Sequence, residues 1–164
     1  MLHIVMTDGT DDIKFVWGLG PAVWDNNDVS EPSFPPASAP SAARIGTNRW
    51  LVAFRRGDNT VTVTLYNHEE RRFIGDCAPP GPLNTNVVGR PAITSTNGKL
   101  ALAWHRVPEV GPNFSFVTAA GQVEAGLPTF SPPRQLDLPL TGELEAGMLN
   151  DPDVTHNHNQ FYIT

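Results

Sequence analysis

Charged residues recur at matched places along this 164-residue chain. Arg55-Arg56, His105-Arg106 and Asp8 each follow a short apolar run, while Arg90 and Asp151 each precede a proline that opens one. Guanidinium groups offer a planar fork of donors and carboxylates offer paired acceptors, so a ring of the two around a depression suits a polyhydroxylated or anionic ligand. Taken singly, each of these residues also reads as a solvated loop charge, some of them paired with one another. Aromatic residues add a second chemistry, because sugar rings present C–H faces that stack on indole. Trp24 follows the Gly20-Pro21 break in a polar context and is the stacking candidate, whereas Trp50 and Trp104 lie inside apolar runs and read as packing residues.

Other constellations are less specific. His156-Asn157-His158 puts two imidazoles at alternate positions, with only Asp151 or Asp153 near enough in sequence to add a ligand. Two ligands do not define a metal site, and a polar turn before Gln160 accounts for the stretch equally well. Glycoside hydrolysis usually needs two carboxylates flanking the bond. Glu109, Glu124, Glu143, Glu145 and Asp153 are present, but no spacing singles out a pair. Without a phosphate-cradling glycine loop, a serine nucleophile elbow or a zincin helix, no cofactor, metal or catalytic residue is assigned.

The elements that position these residues are short strands. The stretch Arg90 to Arg106 contains two apolar runs separated by Asn97-Gly98. That dipeptide suits a type I′ hairpin turn, whose central residues both need φ > 0. In such a hairpin the start of the first strand and the end of the second lie together, so Arg90 meets His105 and Arg106. Further strands are predicted at Leu2 to Met6, Ile13 to Trp17, Ala22 to Trp24, Pro40 to Ile45, Trp50 to Phe54, Thr60 to Tyr66, Arg71 to Ile74, Phe114 to Thr118 and Phe161 to Ile163. Gly18 to Pro21 is expected to break the second run, and Gly121 to turn the chain. Proline-rich connectors without regular structure are expected over 25–40, over Ala78 to Asn86, and after Gly121 up to Asn150.

Composition agrees with many short strands: 16 prolines and 14 glycines accompany 40% hydrophobic residues, and no helix-period run is sustained. A formal charge of −6 disfavours unspecific attraction to nucleic acid or an anionic membrane surface. Cys77 is the single cysteine, which excludes an internal disulfide. Neither a signal-peptide pattern nor an apolar run long enough to span a bilayer is seen, so no membrane insertion is expected and the compartment stays open.

A period near 50 residues organises the whole. Ala53-Phe54-Arg55-Arg56 lies 50 positions before Ala103-Trp104-His105-Arg106, and Pro40, Pro91 and Pro152 are spaced by 51 and 61. About four short strands per period favours an all-β fold of β-propeller type, with a β-sandwich as the alternative. The blade-like units run over about 1–38, 39–88 and 89–150, with a partial unit over 151–164, in a single domain. Arg90-Pro91-Ala92-Ile93, followed by Asn97-Gly98-Lys99-Leu100-Ala101-Leu102-Ala103-Trp104, resembles the blade repeat of sialidase-like propellers and propeller lectins. The Asp-box of true sialidases, Ser-x-Asp-x-Gly-x-Thr-Trp, is missing, and so is a Phe-Arg-Ile-Pro segment. The resemblance implies a carbohydrate-binding, lectin-like module without catalysis. Its alternatives are a fragment of a sialidase-like glycoside hydrolase and a protein-interaction scaffold. The ligand expected is a glycan or small polar molecule at Arg90, His105, Arg106, Arg55, Arg56, Asp8, Asp151 and Trp24. Three units do not close a ring of about four to eight blades, so the expected partner is either further copies in a homo-oligomer or the remainder of a longer chain.

Overall fold

The computed structural model describes residues 36–107, 115–123, 126–136, 152–157 and 160–163 with their side chains, and the backbone course of 2–7, 13–20 and 23–28. Among these residues the chain is all-β, built of antiparallel sheets, none of them closed. A first sheet has the order β1 (Leu2–Thr7), β2 (Ile13–Gly20), β3 (Val23–Asp28). The second is a four-stranded meander of β4 (Ser41–Arg44), β5 (Arg49–Arg55), β6 (Val61–Asn67) and β7 (Arg72–Cys77). In the third, β8 (Val87–Thr96), β9 (Lys99–Arg106) and β10 (Ser115–Gln122) are followed by β11 (Thr129–Phe130) and β12 (Arg134–Leu136), which share the far edge of β10 as a fourth strand in two pieces. A last hairpin pairs β13 (Val154–Asn157) with β14 (Gln160–Ile163).

The β8–β9 hairpin turns as its sequence dictates: Thr96 faces Lys99 across a two-residue loop, with φ of 48° at Asn97 and 75° at Gly98. Several expectations need correction. β2 continues through Gly18 to Gly20, because a register shift lets the glycines stay in the ladder with β3. β3 reaches Asp28, so part of the stretch taken as unstructured is paired; ladder hydrogen bonds outweigh the weak strand propensity of its Asn and Asp. Gly121 lies inside β10 and does not turn the chain: a Cβ there would sit 2.7 Å from the Phe130 ring and 2.8 Å from the Thr129 carbonyl, so the glycine is needed for β11 to close on β10. The connector after it holds β11 and β12, both too short to carry a periodic signal.

Prolines 40 and 91 mark bulges and do not begin the pairing. Val87 and Val88 already pair with Arg106 and His105, then the register breaks, and pairing resumes at Ala92 with Ala103. In the second sheet Pro36 bridges Arg56, and the ladder resumes at Ser41 with Ala53. Proline fits there because a bulged residue gives no N–H to the ladder.

The second and third sheets share one core. Leu51, Ala53, Val61, Val63 and Leu65 meet Ile93, Leu100, Leu102, Trp104 and Val117 there, all nearly inaccessible. The second sheet is also buried on its other face by Val52, Phe54 and Tyr66. On the far face of the third sheet, Ala92, Ala101, Ala103 and Phe116 pack with Val154, Phe161 and Ile163 of the last hairpin. Residues 50 positions apart therefore face the same way: Ala53 and Ala103 point towards the following layer, Phe54 and Trp104 away from it. The sheets stack back to front. Their first strands are neighbours, joined where the Ile93 N–H donates to Ser41 Oγ at 3.2 Å, where Ser95 Oγ donates to the Arg44 carbonyl, and where Thr94 Oγ1 lies 3.1 Å from His156 Nδ1.

Asn84 completes this core from the connector between the sheets. β7 ends opposite Val63, so Val61 has no strand partner on that edge, and the Asn84 amide takes its place. Its Oδ1 accepts from the Val61 N–H at 2.7 Å and its Nδ2 donates to the Val61 carbonyl at 3.0 Å. Trp104 Nε1 donates to the nearby Leu83 carbonyl at 3.2 Å. In urea titrations Asn84→Ala is expected to cost about 1–3 kcal/mol by stranding two buried backbone groups. Trp104→Ala, which opens a cavity in the shared core, should cost about 3–5 kcal/mol. A loss below 0.5 kcal/mol in both, roughly the level of a neutral surface change, would sink this account of the core.

Candidate functional site

The bulged ends of the second and third sheets carry most of the charged residues singled out from the sequence. Arg55 closes β5, Arg56 follows it, and the turn through Asn59 runs back into β6. The Asn59 carbonyl accepts from the Val87 N–H at 2.9 Å, which brings this turn against the start of β8. Val87 and Val88 pair in turn with Arg106 and His105, and Arg90 sits in the intervening bulge. Arg55, Arg56, Arg90, His105 and Arg106 thus gather at one end of two adjoining sheets, each of them half-buried.

Arg55 works as a clamp. Its Nη1 donates to Asn59 Oδ1 at 2.7 Å and its Nη2 to the Ala37 carbonyl at 2.6 Å, while its backbone N–H donates to Ser38 Oγ at 3.0 Å. Arg56 forms an ion pair with Asp58 at 3.3 Å. Asp58 Oδ1 also accepts from the Thr60 hydroxyl at 2.6 Å, and this bond, ahead of the Arg56 charge, holds the Asp58 carboxyl below its usual range. Arg106 Nε donates to the Thr85 carbonyl at 3.3 Å, and His105 meets Phe116 edge-on with centroids 5.2 Å apart. Several of these groups therefore hold the loops that frame the end.

Asp8 and Asp151 lie outside the described residues. Trp24 is placed only by its backbone, within β3. The carboxylate found among the arginines is Asp58. Its signal was an Asp two positions before a Thr in a hairpin turn, a pattern that bonds locally and is common enough to pass as ordinary turn chemistry. Of the acid candidates, Asp153 is exposed and caps its own strand by accepting from the Val154 N–H at 2.9 Å, while Glu109, Glu124, Glu143 and Glu145 lie outside the described residues. His156 lies in β13 beside Thr94, so the strand extends into what reads as a polar turn. Among the described residues no group of three or more His, Cys, Asp or Glu side chains could hold a metal ion.

Of the aromatic residues, Trp104 and Tyr66 are core. Trp50 is half-buried at the opposite end of its sheet, with the Arg44 guanidinium 6.0 Å from its ring centroid. A shallow groove of about 250 Å³ lies along β10 and β11, between Gln122, Phe130 and Ser131. Neither protein-family models nor curated proteins give a match to this chain.

Cys77 ends β7 with its thiol 3.4 Å from the Val63 carbonyl, and burial, helped by the Asp76 charge, pushes it up to about 12. The thiol is therefore neutral at physiological pH and a poor nucleophile. Above about pH 9 the unfolded chain releases this proton before the folded one does, so the linkage term must lower stability as pH rises towards 12. Native protein at pH 8 is expected to react slowly with a disulfide reagent and rapidly once unfolded. Between pH 8 and 10.5 the urea midpoint should fall further for the parent than for Cys77→Ala, and equal slopes would refute the assignment.

Proposed function

We propose that the stacked sheets are consecutive blades of a β-propeller and that the arginine-lined end binds a glycan without catalysis. The back-to-front stacking supports the first half. In a two-layer sandwich each sheet keeps one face for the core and one for solvent, whereas here the second and third sheets are buried on both faces and repeat-related residues point the same way. The adjacency of first strands from successive sheets has the same implication, since a propeller gathers them around its axis.

For binding, the carrying observation is the convergence of Arg55, Arg56, Arg90, His105 and Arg106 from two sheets onto one end of a chain whose formal charge is −6. Local cationic character against an acidic background favours a ligand that combines hydroxyl groups with negative charge. Arg guanidinium donors take both, and their planar fork adds a geometric selectivity that simple anion exchange lacks. The resemblance of the Arg90–Trp104 stretch to blades of propeller lectins points to the same class of ligand. Affinity at one such site is modest, and repetition around a ring would raise it through avidity.

Arg90 and Arg106 are the positions to test, because Arg55 commits both terminal nitrogens to clamping its loop. On a glycan array, the parent is expected to retain acidic glycans in preference to neutral ones, with retention weakening as salt rises. Arg90→Ala with Arg106→Ala should reduce binding by about tenfold or more, equivalent to ~1.4 kcal/mol, in protein that circular dichroism shows to be still folded. Absence of glycan retention by the folded parent would count against the proposal.

A further inference from the structure

The segment leading into β8 holds two asparagines in opposite situations. Asn84 is buried and commits its amide to Val61. Asn86, two positions on, is exposed, and its side-chain amide makes no hydrogen bond among the described residues. The backbone around it is committed on every side. The Thr85 carbonyl accepts from Arg106 Nε at 3.3 Å, the Asn86 carbonyl from the Val107 N–H at 2.9 Å, and the Val87 N–H donates to the Asn59 carbonyl at 2.9 Å. Asn86 is therefore fixed between the end of β9 and the turn that follows Arg55, with only its side chain left over. Its φ of 53° lies in the left-handed region, where glycine fits and a residue with a Cβ is strained. Asn59 adopts the same conformation and uses its side chain to hold Arg55, whereas at Asn86 no bond within the fold accompanies the strain.

We propose that Asn86 is a specificity-determining residue of the arginine-lined end: its amide reads a hydroxyl group of the ligand while Arg90 and Arg106 take the neighbouring anionic group. The site then selects a carboxylated sugar of the uronate class over an anion without hydroxyls, an inference that rests on the glycan-binding reading. Guanidinium groups alone attract any anion, because neither their charge nor their fork of donors requires a hydroxyl. A primary amide supplies N–H donors and a carbonyl acceptor, and a sugar hydroxyl, donor and acceptor at once, matches both. The three hydrogen bonds of the flanking backbone hold the amide in place beforehand, so little ordering entropy is lost when a ligand meets it.

The test compares binding of the whole chain to polygalacturonate and to polyglutamate, both carboxylate polymers, at one low salt concentration. The parent is expected to prefer polygalacturonate. Glycine suits the left-handed backbone at position 86, so Asn86→Gly removes the amide and keeps the segment, and its circular dichroism melting should stay close to the parent's. Asn86→Gly should weaken polygalacturonate binding by about fivefold, the size of one neutral hydrogen bond, and leave polyglutamate binding unchanged. Arg90→Ala with Arg106→Ala should weaken both. A parent that binds neither polymer overturns the inference together with the glycan reading. A parent that binds both equally, or an Asn86→Gly variant that changes nothing or weakens both alike, overturns the inference alone.

Discussion

A sheet with one buried face can end against water, but a sheet buried on both faces needs a layer on each side, and this requirement governs the chain. Along β5, Leu51 and Ala53 enter one core while Val52 and Phe54 enter another, so every residue from 51 to 54 is inaccessible. The same holds along β9 from Leu100 to Trp104. Each inaccessible large side chain contributes about 1.5–3 kcal/mol of burial. That gain exists only if the next layer is in place, so the second sheet, the third sheet and the last hairpin depend on one another. The size of Trp104 and the smallness of Ala101 and Ala103 follow from it. One side of β9 fills the wide space against the second sheet, and the other lets the β13–β14 hairpin approach closely.

Stacking in this manner leaves ladder ends that backbone alone cannot satisfy. The structure repairs them with side chains: Asn84 for Val61, Ser38 and Arg55 for the 36–38 segment, Ser41 and Ser95 between first strands. Buried polar groups without partners would cost more than any of these contacts gains. The repairs concentrate at the bulged end, where the arginines also gather. Architecture and candidate chemistry are therefore not separable there, and a guanidinium such as that of Arg55 spends its two terminal nitrogens on the scaffold. Arg90 lies in the bulge of β8, and Arg106 donates to the Thr85 carbonyl of the connector.

Local sequence was a good guide wherever a structural rule acts over a few residues. Asn97-Gly98 specifies its turn because the φ requirement is local, and alternation in Thr60 to Tyr66 marks β6 because one of its faces carries threonine. It misled at Gly121 and at 25–28, where pairing with the neighbouring strand overrides propensity. β11 and β12 were invisible, since two or three residues hold no period.

The sequence by itself determined the strand-and-turn grammar, the repeat near 50 residues and the two-residue turn of the β8–β9 hairpin, all consequences of pairing within one hairpin or of recurrence along the chain, whereas Val87 and Val88, not Arg90, came to face Arg106 and His105. Only the tertiary structure decided that repeat-related residues face the same direction, that the Arg55 turn meets the start of β8, and that Asp58 stands among the arginines. Those facts depend on how one sheet is laid against the next. Stacking is set by shape and burial between residues dozens of positions apart, and a linear pattern carries no record of which face meets which.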